Sequence, residues 1–258
     1  MRAAWIALFL FVFGCAGSPK APEATKAPEV VETPRPRVMV AHHTAVPVTI
    51  DGRLDEPVWA RASVYRMSHP VSANGDSEPV EQTGTVRLAW DDSNFYLAVD
   101  FVDRDLLAEG PADELHHYKL GDLAELFLKP QGKSCYWELY VTPASRKTTM
   151  FFPSRGHFGL PSTVEYTSDL RVAAKAQGTV NHWQDEDEGW TAEMAMPIDD
   201  LTARGGNFGP GSPWRILVGR YNYGVHRTRI GPEITMTPGM SQRNFHYHKE
   251  YAVLELVR

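Results

Sequence analysis

The sequence has 258 residues, of which 43% are hydrophobic and 22% are charged, and these values exclude extensive disorder in the body of the chain. Its formal net charge of -6, with no basic stripe, argues against a nucleic-acid partner, because phosphate binding requires clustered Lys and Arg. The length suits a single all-β domain.

Residues 1–15 have the composition of a secretory signal. Arg2 precedes an apolar run that closes on Gly14 and Cys15 and is too short to span a membrane. The last residues of the run resemble the bacterial lipobox, in which the cysteine is lipidated and becomes the first residue of the mature chain. We therefore expect a lipid anchor at Cys15, with a plain signal peptide as the alternative. Ala16 follows the cysteine where an Asp would indicate inner-membrane retention, which favours the outer membrane of a bacterial envelope.

Residues 16–37 contain five prolines among Lys, Glu, Ala and Thr, and no aromatic residue. This composition predicts a flexible tether with a reach of up to roughly 60 Å. If Cys15 is lipidated, Cys135 has no disulfide partner, and its apolar surroundings predict that it is buried.

Residues 38–258 are predicted to form one domain made of strands. Val86–Trp90 and Phe95–Phe101 alternate apolar and polar side chains on either side of a turn at residues 91–94, which indicates a β-hairpin. Further strand-like runs bring the total to about ten, and residues 198–203 suit one helical turn. They are residues 123–128, 136–141, 148–152, 164–174, 190–196, 215–221 and 251–257. With no long helical period, we expect an all-β fold: a two-sheet antiparallel β-sandwich with an immunoglobulin-like or jelly-roll-like layer architecture.

Six segments of this domain occur in a fixed order, each a strand or hairpin with an aromatic residue or carboxylate at a set place. They are residues 50–59, 86–103, 121–129, 136–142, 189–197 and 214–222. The order resembles the family 9 carbohydrate-binding domains across residues 38–258. The resemblance implies a β-sandwich that binds sugars without catalysis. In the first segment, Trp59 and the residues around Gly52 are interpreted as structural, with no ligand.

Asp122 and Glu125 begin a strand whose other side chains are apolar. Such carboxylates either pair internally or accept hydrogen bonds from sugar hydroxyls. The resemblance implies that this pair lies at the cleft and bonds sugar hydroxyls. In other members of the family the same carboxylates only support neighbouring loops, and this remains the alternative. Residues three apart on a strand face opposite ways, which argues against a glycosidase pair at one cleft.

The resemblance also supplies the other candidate binding residues. Tyr118 lies where family members often present a stacking Trp, although an exposed polar loop is the alternative. Arg220 and Asn222 would hydrogen-bond ring hydroxyls and Tyr223 would provide a platform, whereas a strand end with Arg220 in a salt bridge is the structural alternative. His246 matches the closing segment of the family.

These patterns predict a non-catalytic carbohydrate-binding lipoprotein that assists polysaccharide capture or degradation by a glycoside hydrolase on a separate chain. The sequence lacks a nucleophile elbow, a P-loop and a dinucleotide fingerprint. The alternative is a haem- or metal-binding envelope redox protein, for which His116, His117, His246 and His248 are weak signals. A structural lipoprotein without a ligand is a third possibility. We expect no cofactor, and a structural calcium ion at an unassigned site is left open as an alternative.

Overall fold

The computed structural model describes Met1, residues 28–163 and residues 165–258. The predicted signal, Cys15 and residues 16–27 of the predicted tether are therefore outside the described residues, except for Met1. The strands are β1 (Val30–Val31), β2 (Val38–His43), β3 (Val64–Arg66), β4 (Gly84–Trp90), β5 (Asn94–Val102), β6 (Leu123–Pro130), β7 (Tyr136–Val141), β8 (Lys147–Phe152), β9 (Arg171–Gln177), β10 (Gly189–Pro197), β11 (Trp214–Asn222), β12 (Glu233–Thr237) and β13 (Ala252–Val257). One α-helix, α1 (Ile198–Gly205), follows β10. None of the helices in the described ranges has the length and apolar character needed to cross a membrane.

The longer strands lie where the alternation of the sequence predicted them. β4 and β5 form the expected hairpin, with Trp90 opposite Phe95 across the turn. α1 extends the predicted helical turn by two residues, and β9 begins later than predicted. β1, β2, β3 and β12 were not predicted. β1 and β3 have only two and three residues, which is too few for a period to show.

The strands join into one mixed sheet of thirteen strands that curves until it is nearly closed, like a barrel. The main order is β8-β7-β6-β11-β13-β2-β4-β5-β10-β9. The all-β prediction is confirmed, whereas the prediction of antiparallel sheets is corrected. β2 pairs in parallel with both β13 and β4, and β1 pairs in parallel with β3. Parallel neighbours need a long crossover, which residues 44–83 provide between β2 and β4.

The main core fills the inside of the curved sheet. Trp137 on β7, Trp190 on β10 and Trp214 on β11 are each at most 1% exposed, and they belong to one buried cluster that draws on both halves of the sheet. This arrangement is consistent with the face-to-face packing of a β-sandwich. Trp137 is in the core, as its mid-strand position indicates. Cys135 lies just before β7 and is only partly buried, so the expectation of a buried thiol is corrected.

The end of the predicted tether is part of the folded domain. Val30 pairs with Val64 through the β1–β3 ladder. The carbonyl oxygen of Pro34 accepts a hydrogen bond of 2.7 Å from the backbone N–H of Gly239. Val30 and Pro34, which lie in the predicted tether, are therefore in contact with the domain.

The first family segment is held in place by a buried carboxylate from β10. Glu193 accepts hydrogen bonds from the Trp59 indole at 2.8 Å and from the backbone N–H of Gly52 at 3.1 Å. Gly52 has φ +81°, and a Cβ atom there would lie 2.6 Å from the carbonyl carbon of Ala174. Only glycine fits this backbone contact, and the segment is structural, as predicted. Residues 50–59 form no strand, however, so the expectation of a strand or hairpin in this segment is wrong.

Candidate functional site

A pocket of about 550 Å³ opens on the face of strands β6, β7, β8, β11 and β12 that points away from the main core. Alternate side chains of these strands form its floor, and the loops at residues 116–119, 158–163 and 243–246 form its walls. Most of its aromatic lining comes from six residues: Tyr118, Tyr140, Phe152, Phe158, Tyr221 and Phe245. The combination of aromatic rings with a few polar groups is typical of a site for a small ligand.

Two carboxylates, Glu125 on β6 and Glu138 on β7, face this pocket. Glu125 lies opposite Tyr140, and Glu138 lies opposite Phe127, so strand pairing directs all four side chains to the same side. Glu125 is 2% exposed and Glu138 is 5% exposed. The Tyr140 hydroxyl donates a hydrogen bond to Glu138 Oε1, whereas Glu138 Oε2 is buried without a hydrogen-bond partner among the described residues.

Burial changes the protonation of both carboxylates. It raises the pKa of Glu138 to about 7, against a lowering contribution from the Tyr140 hydroxyl. Burial also raises the pKa of Glu125 well above its usual value, and the nearby Glu138 raises it further. Near neutral pH these groups therefore tend to retain protons. A protonated carboxyl group can both donate and accept a hydrogen bond.

One wall of the pocket is built around His246. Its Nδ1 lies 2.9 Å from the Tyr136 hydroxyl, and its ring centroid lies 4.2 Å from that of Phe158. Burial lowers the pKa of His246 to about 4, so the ring is neutral at physiological pH and does not balance the charge of Glu138, whose Oε2 lies 3.8 Å from Nε2. Phe158 is 60% exposed and presents its ring at the rim.

A glycine on β11 sets the depth of the pocket floor. Gly219 lies opposite Glu125 in the sheet. A Cβ atom on Gly219 would lie 2.5 Å from the ring of Phe245, which packs directly onto the strand. Because Gly219 has no side chain, the loop before β13 can pack against β11 and place Phe245 in the pocket lining.

The structure brings three of the seven predicted binding residues into this pocket, namely Tyr118, Glu125 and His246. Asp122 is fully buried outside it and accepts hydrogen bonds of 2.6 Å from the backbone N–H groups of Leu107 and Tyr223. Asp122 therefore supports two loops, and it faces the opposite way from Glu125, as the strand period predicted.

Arg220 is fully buried, does not line the pocket and connects strands inside the domain. Its guanidinium donates hydrogen bonds to the carbonyl oxygens of Gln82 at 2.9 Å and Val102 at 2.7 Å, and to Asp103 at 3.3 Å. The ring of Phe101 lies 4.5 Å from the guanidinium carbon. The salt-bridged strand end, which the sequence left as the alternative, is the arrangement observed.

Asn222 and Tyr223 also lie outside the pocket. The Asn222 amide donates a hydrogen bond of 3.4 Å to Glu233, a buried carboxylate that also lies 3.0 Å from His69. The Tyr223 hydroxyl donates a bond of 2.7 Å to the carbonyl oxygen of Tyr118. Tyr223 therefore holds the loop that carries Tyr118 and provides no platform in this pocket.

The sequence reasoning missed Glu138, Tyr140, Tyr221 and the loop residues Phe158 and Arg243. A carboxylate in the apolar strand 136–141 was a usable signal for Glu138, since it repeats the pattern of Glu125. The loop residues gave no signal, because their position depends on how the loops fold over the sheet.

A second pocket, of about 550 Å³, adjoins the first and shares Arg243 with it, but no aromatic residue lines it. This makes it a poorer surface for stacking. Across the described ranges, no three His, Cys, Asp or Glu residues are grouped so as to hold a metal ion. The described residues therefore provide no candidate site for the calcium ion, haem or metal considered from the sequence.

Comparison with known proteins identifies the family. The model of the family described as "Carbohydrate family 9 binding domain-like" matches residues 50–209, a range that includes Tyr118, Glu125, Glu138 and Phe158. Among curated protein sequences, none matches the chain significantly.

Three solved structures share the fold. A proposed carbohydrate-binding protein from Bacteroides uniformis has 12% identity and a TM-score of 0.60, covering 86% of this chain and 99% of its own. A family 9 carbohydrate binding module from Caldicellulosiruptor kristjanssonii, in complex with cellotriose, has 14% identity and a TM-score of 0.55, covering 85% of this chain and 93% of its own. The same kind of module from that organism, in complex with glucose, has 14% identity and a TM-score of 0.56, covering 85% of this chain and 95% of its own. The chain belongs to the carbohydrate family 9 binding domain-like family.

Proposed function

We propose that this protein binds carbohydrate without catalysis, and that the pocket over β6, β7, β8, β11 and β12 is the binding site. The observation that carries the proposal is the coexistence, in one pocket of about 550 Å³, of aromatic rings and two buried carboxylates, of which Glu138 has an oxygen, Oε2, without a hydrogen-bond partner among the described residues. Family membership supports it, as do the complexes of the Caldicellulosiruptor kristjanssonii modules with cellotriose and glucose.

The two kinds of side chain suit the two kinds of surface on a sugar. Phe158 at the rim can stack on the C–H face of a pyranose ring. Glu125 and Glu138 on the floor can hydrogen-bond hydroxyl groups, which would compensate the partner that Glu138 Oε2 lacks. The volume lies within the range of about 300–1,000 Å³ that small-ligand pockets occupy.

The protonation of the carboxylates favours binding over hydrolysis of neutral sugars. A retaining glycosidase needs one ionised carboxylate as nucleophile beside a protonated one. Burial raises the pKa of both Glu125 and Glu138, and no Lys or Arg of the described residues forms a salt bridge with either one. Neither carboxylate is thus maintained as an anion for nucleophilic attack.

We further propose that the protein is lipid-anchored at Cys15, in the outer membrane of a bacterial envelope, and captures polysaccharide for a glycoside hydrolase on a separate chain. The support is the apolar run that ends at Cys15 and the prolines that follow it. Cys15→Ser is expected to move the protein from the membrane fraction to the soluble fraction of cells. An unchanged distribution would contradict the anchor.

Calorimetric titration of the full chain in mild detergent against glucose, cellotriose and other oligosaccharides tests the binding function. Phe158→Ala is expected to weaken binding roughly three- to tenfold without loss of stability, because it removes an exposed stacking surface. Trp183→Ala is the matched control, since Trp183 is 61% exposed and lies outside the pocket. No heat with any sugar would contradict the function, and binding unaffected by Phe158→Ala would contradict the role of this ring.

A further inference from the structure

The carboxylates of the pocket lack a cationic partner. In the described part of the chain, the only Lys, Arg or His side chain within salt-bridge distance of Glu138 is His246, at 3.8 Å, and that ring is neutral at physiological pH. Glu125 forms no salt bridge with any described residue. Buried Glu side chains are ordinarily paired with a cation or saturated with hydrogen bonds. Neither Glu125 nor Glu138 has a cationic partner, and Glu138 Oε2 also lacks a hydrogen bond, so both side chains tend to be protonated unless a ligand brings a cation. Both face the space that a ligand would occupy.

The rest of the lining also suits a cation. The rings of Tyr140 and Tyr221 line the same pocket, and aromatic faces attract cations, more strongly where water is excluded. The Tyr118 ring already has the ammonium group of Lys119 at 5.2 Å from its centroid. Lys119 and Arg243 line it too, but they are exposed, so solvent and salt screen their charges from the buried floor.

We propose that the pocket selects sugars that carry a free amino group, such as glucosamine residues, over neutral sugars of the same shape. This inference rests on the proposed function. The ammonium group would lie between Glu125 and Glu138 and would stabilise the ionised form of Glu138, which no Lys or Arg of the described residues stabilises there. A metal ion is the less suitable cation, because the described residues offer no third His, Cys, Asp or Glu placed to ligate it.

The test is calorimetric titration of the full chain, in mild detergent at neutral pH, with glucosamine, glucose and N-acetylglucosamine. Glucosamine is expected to bind about tenfold more tightly than glucose, which corresponds to one charge-assisted hydrogen bond. N-acetylglucosamine, which keeps the nitrogen but loses its charge, is expected to show no such gain.

Glu138→Gln and Glu125→Gln keep the size of each side chain and remove its ability to ionise. Each is expected to abolish most of the preference for glucosamine, measured as the ratio of the Kd for glucose to the Kd for glucosamine in the same variant. Glu255→Gln is the control, because it removes the same charge from an exposed position on β13 outside the pocket. Thermal melting establishes that each variant is folded, and the comparison of sugars on the unmodified protein stands without the variants.

The outcomes separate this inference from the proposed function. Equal binding of glucosamine and glucose, or a preference that survives both Glu→Gln variants, would overturn the amino-sugar inference and leave carbohydrate binding intact. No binding of glucosamine, glucose, N-acetylglucosamine or cellotriose would instead count against the proposed function itself.

Discussion

Replacing Glu138 with Gln is expected to change how the stability of the ligand-free protein depends on pH. Burial raises the pKa of Glu138 from the ordinary 4.5 to about 7. The folded state therefore binds this proton more tightly than the unfolded state does. The stability that this group contributes is fully present below pH 4.5 and is lost as the pH rises through about 7.

The size of the effect follows from the two pKa values. A rise from 4.5 to about 7 corresponds to about 3 kcal/mol of stability lost between acid and mildly alkaline pH, as an upper bound. Gln has no proton to lose, so the variant should escape this loss. It should also remove the charge that contributes to the raised pKa of Glu125. Glu193, whose pKa burial raises to about 8, remains in the variant. The stability of the variant should therefore still fall as the pH rises, but by less than that of the unmodified protein.

Urea unfolding at pH 5 and pH 8 measures the effect. The unmodified protein should be less stable at pH 8 than at pH 5, and Glu138→Gln should reduce that difference by up to about 3 kcal/mol. Glu255→Gln, at an exposed position, controls for the change in net charge. If Glu138→Gln and the unmodified protein show the same difference between the two pH values, Glu138 is not protonated by burial and the description of the pocket floor is incorrect.

Three substitutions outside the pocket test the structural roles assigned above. Arg220→Met leaves Asp103 buried without its partner and should cost about 3–5 kcal/mol in urea unfolding, and a loss under about 1 kcal/mol would contradict the buried ion pair. Gly52→Ala forces a Cβ atom against the backbone of β9 at φ +81°, so the melting temperature should fall by several degrees, and an unchanged value would refute the close contact. Asp122→Asn can accept only one of two backbone hydrogen bonds, which should cost about 1–3 kcal/mol, and hydrogen exchange at Leu107 and Tyr223 should show which is lost.

The sequence predicted the position of some residues of the candidate site and not of others. The alternation of the strand at 123–130 correctly placed Asp122 and Glu125 on opposite faces, because backbone geometry fixes side-chain direction with a period of two. The resemblance drew attention to Arg220 and Asn222, yet a polar residue at a strand end has the same sequence appearance whether it meets a ligand or another strand. Their burial and their partners distinguish the two.

By itself, the sequence determined the all-β class, the positions of the longer strands and the family, since these depend on local period and on the order of short segments. Only the tertiary structure decided which strands run parallel, that the end of the predicted tether joins the sheet, and that Glu125 and Glu138 face one pocket without a cation. Those features arise from contacts between residues far apart in the chain, such as β2 with β13, and hydrophobic period carries no information about which strand a given strand will meet.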